Sequence, residues 1–218
     1  MMIALLALAL AAQTAEPAPG LSSEPTAGDA YRDCIRMTSA EPAKAERLSK
    51  QWILQEGGVP ARHCQAMAEL ALGKTEMAVA TLEGAARLTE SAGGRETADL
   101  YGQAGNAALI AGKPEQAKDL FDRALISLGR GRDALRADLL IDRARAETDL
   151  SQLDAARADL LSATQVAPDN ADAWLLLATA ERRADNLGGA ENAIREAIRL
   201  MPEDPEVLAE AARIAATD

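Results

Sequence analysis

The sequence predicts an all-α fold, a right-handed α-α superhelix of about four helical hairpins closed by a C-terminal capping helix. Three observations carry that prediction. One set of slots recurs: Trp174, Leu177, Ala178, Ala190, Ile194 and Ala197, followed by Pro202, return 34 positions earlier as Leu140, Arg143, Ala144, Ala156, Leu160 and Ala163, followed by Pro168. Two further steps of 39 reach Tyr101, Ala104, Gly105, Ala117, Phe121 and Ala124, then Arg62, Gln65, Ala66, Ala78, Leu82 and Ala85. Alanine, the strongest helix former, fills 50 of the 218 positions, which favours helix along nearly the whole chain. No run alternates β-branched and polar residues as a strand would.

In chain order, residues 1–15 read as a signal peptide. Residues 1–12 are uncharged and rich in Leu and Ala, and they are too short to span a bilayer, which needs about 20 apolar residues. Ala9-Leu10-Ala11 fits the small-x-small preference of a cleavage site, with Ala12 and Ala15 as alternatives for the last residue removed. The expected location is periplasmic or secreted, with no stable membrane span after signal removal. Residues 16–28 place Pro17, Pro19 and Pro25 among serines and acids without apolar periodicity, and read as a flexible linker. Residues 29–58 read as a capping hairpin outside the repeat register. There Tyr31, Cys34 and Ile35 share one side of a first helix, Pro42 starts a second, and Ala45, Leu48 and Trp52 have the spacing of a buried face.

Four hairpin repeats follow, at 59–97, 98–136, 137–170 and 171–204. Gly105, Ala144 and Ala178 sit where a first helix must approach its partner closely, faced by Ala117, Ala156 and Ala190 from the second. Leu82, Phe121, Leu160 and Ile194 share one slot of the second helix and fill the space between hairpins. Gly73-Lys74-Thr75-Glu76 and Gly112-Lys113-Pro114-Glu115 mark the turn between helices, with Asp154 and Gly188 near the same junction later. Pro168 and Pro202 stop the second helix of the last two repeats. In 205–218, Leu208, Ala211 and Ala212 repeat the first-helix slots and no second helix follows, so this piece reads as a cap.

The slots resemble the tetratricopeptide repeat, whose first helix carries a large, an apolar and a small residue and whose second carries small, bulky and small residues before a proline. The resemblance covers residues 59–218 and is strongest over 137–204. Arg62 and Gln65 depart from it, and the two earlier junctions are five residues long of the family period and lack the proline. It implies a non-enzymatic scaffold that binds another protein in a concave groove. Members that grip a terminal carboxylate use a ring of Lys and Asn, of which only Asn106 is matched.

Several chemistries are excluded or weakened. The net charge of −11 and only five aromatic residues argue against nucleic acid, which needs a continuous basic stripe with stacking rings. Residues Ala68 to Thr75 approach the P-loop spacing, but helix precedes them where a strand is required. His63 is the only histidine, and adjacent helical positions point about 100° apart, so His63 and Cys64 form no catalytic dyad. No catalytic residue, metal ligand or cofactor site is assigned. Cys34 and Cys64 lie in the first helices of adjacent hairpins, where an oxidising compartment allows a disulfide. Two free thiols, or a sensing cluster of Cys34, His63 and Cys64, are the alternatives.

The groove wall is formed by first-helix residues turned away from the hairpin interior. His63, Met67 and Leu70, then Asn106, Leu109 and Ile110, make its early half mostly apolar. Ile141, Arg145 and Thr148, then Leu175, Thr179, Arg182 and Arg183, follow, and the three arginines mark a basic spot suited to a segment with an apolar portion and an acidic end. The competing reading pairs those arginines with Asp149, Glu181 or Asp185 as ordinary solvated residues. The expected role is a protein-binding scaffold, with envelope assembly as its setting. Self-association through Leu208 and Ile214 of the last helix, giving a homo-oligomer, is the second reading.

Overall fold

Small residues determine how closely the helices pair. The structure, a computed structural model, describes residues 26–217; the expected signal peptide and all but the last three residues of the expected linker lie outside them. The described residues form eleven α-helices. A cap hairpin, α1 (Ala27–Ala40) and α2 (Pro42–Leu54), precedes α3 (Gly58–Ala71) with α4 (Thr75–Ser91), and α5 (Thr97–Ile110) with α6 (Pro114–Ser127). Then come α7 (Asp133–Asp149) with α8 (Leu153–Val166), α9 (Ala171–Arg183) with α10 (Leu187–Leu200), and the single α11 (Pro205–Ala215). The first helix begins inside the stretch expected to be linker. Thr26 caps it, accepting from the Asp29 amide while the Asp29 carboxylate accepts from the Thr26 amide.

The repeated slots are the core. Ala78, Ala117 and Ala190 have no exposed surface and Ala156 almost none, while Leu82, Phe121, Leu160 and Ile194 are buried between hairpins. Gly105 allows the closest approach, since a Cβ there would lie 2.5 Å from the Phe121 ring. First helices approach one another at three of the five steps along the stack, α1 with α3, α5 with α7 and α9 with α11, whereas second helices approach as closely at none. The stack therefore curves with its first helices inward.

The hairpin turns use one device in four copies. The amides of Lys74, Lys113, Gln152 and Asn186 each donate to a carbonyl in the preceding last turn, at 2.8 to 2.9 Å, closing a Schellman motif. Its left-handed residue is Gly73 or Gly112 in the first two repeats but Ser151 or Asp185 in the last two. Asp154 and Gly188, expected near this junction, are the second residues of α8 and α10, just past it. The surplus residues of the earlier junctions become helix, because α4 and α7 each run to 17 residues where α5, α6, α8 and α10 have 14.

The apolar core divides in two along α7, whose Leu139 and Ala146 join the first cluster and whose Leu140, Ile141 and Ala144 join the second. Arg143, the polar occupant of an apolar slot, lies at that division. Its guanidinium donates to Asp122 on α6 at 2.6 Å and to both oxygens of Asp159 on α8 at 2.6 and 2.7 Å. These bonds, Asp159 first, hold Arg143 protonated against its burial. Glu147 lies buried beside them with one oxygen unpartnered among the described residues; burial, then the charge of Asp159, pushes its carboxyl up.

In the cap, Ala45 is buried and Trp52 half-buried as expected, but Leu48 is 44% exposed and the neighbouring Ser49 takes its place in the inward stripe. Cys34 and Cys64 are joined, with Cα atoms 6.1 Å apart, and the bond ties α1 to α3 where Arg62 and Gln65 provide little apolar packing. In α11, Leu208 is exposed, but Ile214 is buried against the last hairpin and is not available to a second copy as expected.

Two glycines test the packing account with opposite signs. Gly105→Ala should cost about 1–3 kcal/mol by forcing α5 from α6, and Gly84→Ala, helical with nothing within 4 Å of its Cβ, should gain about 0.5–1 kcal/mol; urea unfolding measures both. Closing a loop across 30 residues, the disulfide should contribute about 3 kcal/mol. Reduction should lower stability by that amount, and two maleimide-reactive thiols on denatured, unreduced protein would contradict the bond.

Candidate functional site

The inner wall carries two depressions that meet at Ile141 and Arg145. The first is an apolar cleft of about 190 Å³ between α7 and α9, floored by α8. The two first helices are only loosely apposed here. Leu153, Leu160 and Leu176 supply its apolar surface, and Thr148, Thr179 and Arg183 its rim. The second is a broader basin of about 380 Å³ running from α5 across α7 to the start of α9. Asp99, Asp138, Asp142 and Asp172 ring it, with Gln103, Asn106 and Asn170 between them.

The basic spot read from the sequence is mostly neutralised. Arg182 donates to the buried Glu210 of α11 at 2.6 Å and so braces the end helix. Burial opposes charge on Glu210, but the bonds from Arg182 and Arg213 outweigh it and leave the carboxyl below its usual range. Arg145 bonds Asp142 at 2.6 Å, and Asn106 donates to the other oxygen of that carboxylate at 2.9 Å. Arg183 makes no ion pair among the described residues and borders the cleft, as Thr179 does. Met67 and Leu109 are half-buried and pack on the first core cluster, away from both depressions.

The acidic residues were not singled out in the sequence, although a signal exists. Two places before the large slot, the first helices carry Asp99, Asp138, Asp172 and Glu206 in succession. Of these, Asp99 is held by Arg132 through two 2.8 Å contacts. Asp138 and Asp172 have no ion pair among the described residues. Burial, then the charges of Asp142 and Asp172, pushes the Asp138 carboxyl up.

The cysteine and histidine cluster is structural in this arrangement. With both sulfurs joined to each other, neither is a thiolate ligand or nucleophile. His63 spans three hairpins, its Nδ1 2.8 Å from the Tyr31 hydroxyl and its Nε2 2.7 Å from Oε1 of Gln103. Among the described residues no three His, Cys, Asp or Glu side chains are grouped as a metal ion requires, and no helix is long and apolar enough to cross a membrane.

Solved structures share this arrangement of hairpins. YrrB, described as a TPR protein with an unusual peptide-binding site, superposes with a TM-score of 0.65 at 17% identity over 87% of this chain and 94% of its own. The chain has the tetratricopeptide-repeat fold. MamA from Desulfovibrio magneticus RS-1 matches with a TM-score of 0.66 at 16% identity, covering 82% of this chain and 97% of that one. The first TPR of Spaghetti (RPAP3), bound to the HSP90 peptide SRMEEVD, covers 56% of this chain and 96% of its own at 20% identity, with a TM-score of 0.51. No family model matches the chain, and no curated protein does.

The two neighbouring arginines separate a brace from a free charge. Arg182→Ala should cost about 2–3 kcal/mol because it strips a buried carboxylate of its main partner, whereas Arg183→Ala should stay within about 0.5 kcal/mol. Glu210, with its folded pKa depressed, contributes above its unfolded value, and that contribution is lost as pH falls through the folded one. The deficit of Arg182→Ala in urea unfolding should therefore shrink on acidification, and equal stability of the two variants at neutral pH would contradict the brace.

Proposed function

We propose that the chain is a non-enzymatic scaffold that holds a segment of another protein along its inner wall. The observation that carries the reading is the apolar cleft between α7 and α9, which opens on the concave side beside a polar basin and has no described segment of the chain covering it. A groove of this kind suits an extended chain, with pockets for side chains and polar groups for the backbone. The fold supports it, because YrrB is described by a peptide-binding site and the Spaghetti domain by a bound HSP90 peptide. We place the scaffold outside the cytoplasm, in the periplasm or secreted, with a part in envelope assembly; the apolar opening of residues 1–12 and the joined cysteines support that placement.

A photo-crosslinking residue at Thr179, on the cleft, should capture partner protein in cells, while the same residue at Ile126, which is 83% exposed on a second helix, should not. Equal capture at both sites, or none at Thr179, would overturn the groove. An alkaline phosphatase fusion to the full chain should be active, and an inactive, stably produced fusion would overturn export.

A further inference from the structure

The groove's own chemistry specifies what kind of segment it holds, and this inference rests on the reading of the groove as a protein-binding surface. The apolar cleft asks for a bulky aliphatic or aromatic side chain, since Leu153, Leu160 and Leu176 offer it an apolar floor and the polar groups, Thr148, Thr179 and Arg183, stand at the rim. The adjoining basin asks for a cation. Its four carboxylates, Asp99, Asp138, Asp142 and Asp172, are met by two guanidiniums, Arg132 on Asp99 and Arg145 on Asp142. Asp138 and Asp172 therefore line the same basin, exposed and without an ion pair among the described residues, so a bound cation meets carboxylates that no side chain has engaged. The carboxylates are spread too widely for three of them to share one metal ion. A lysine or arginine side chain suits that spread better, because its apolar stem can lie on Leu139 and Ile141 while its head reaches between two acids.

We infer that the segment taken by the groove is basic: a lysine or arginine seated between Asp138 and Asp172 and, next to it across Ile141, a large apolar side chain in the cleft between α7 and α9. Gln103, Asn106 and Asn170 also line the basin, each with one side-chain amide atom bonded within the chain, to His63, Asp142 and the Ala173 amide, and the other turned to the segment's backbone in this reading. This reverses the charge expected from Arg145, Arg182 and Arg183, since the first and second are engaged by Asp142 and Glu210. A chain of net charge −11 also draws such a segment from a distance, so association weakens as salt rises.

Panning a random phage-displayed peptide library on the full chain tests the inference. Enriched sequences should pair Lys or Arg with a neighbouring Leu, Ile, Met or Phe. By fluorescence anisotropy, an enriched peptide should bind Asp138→Asn plus Asp172→Asn about tenfold more weakly, and lose affinity between about 50 and 500 mM salt. Neither substitution removes a folded-state bond, and circular dichroism checks that the double variant is intact. A Glu115→Gln control on an exposed site of α6 should leave affinity unchanged. Enrichment of acidic or neutral peptides that both proteins bind equally would overturn the charge assignment and leave the groove standing. Enrichment of no peptide that protects Thr179 from photo-crosslinking would overturn both.

Discussion

The close approach of paired helices through residues with little or no side chain is the constraint on which the rest depends. An alanine or glycine at facing positions lets two helical backbones near each other, and each pair then presents a flat apolar flank that only another pair can cover. Because first helices meet across repeats at three of the five steps and second helices meet as closely at none, the flanks do not stack in parallel and the array bends. The inner wall is thus a by-product of how the core packs. Its depressions arise where that packing is least tight, between α7 and α9 and around the start of α9.

Charge enters this scaffold in two ways. Buried or half-buried pairs such as Arg143 with Asp122 and Asp159, and Arg182 with Glu210, span neighbouring helices and set their register at the points where apolar contact is interrupted. Tyr101 belongs to the same class: its hydroxyl donates to Glu90, and burial, then that bond, pushes it up to about 12. Such pairs stabilise little relative to apolar packing, but removing one partner leaves the other stranded. Asp138 and Asp172 differ from these, since both line one basin and neither is paired within the described residues.

The repeat register was legible from residues alone because it is a steric rule: Ala156, Ala190, Leu160 and Ile194 lie where their recurrence places them. Arg143 was visible as an anomaly in an apolar slot, but not its answer, since Asp122 and Asp159 come from two other helices. The turns were half legible. Glycine advertises a left-handed residue at 73 and 112, whereas Ser151 and Asp185 adopt it under the pull of the Schellman bonds and give no compositional signal. The groove's arginines were conspicuous on an apolar wall, while acids at helix starts pass for ordinary capping. Only the neighbouring helices show that Arg182 is spent on Glu210.

Urea unfolding of Ala190→Leu examines the packing constraint most directly, since Ala190 is wholly buried and belongs to the repeat with the most regular slots. A loss of about 2–3 kcal/mol is the predicted result, as the larger side chain drives α9 from α10. Stability equal to that of the unaltered chain would mean that the two helices do not meet through their small residues, and the curved wall derived from that contact would have no basis.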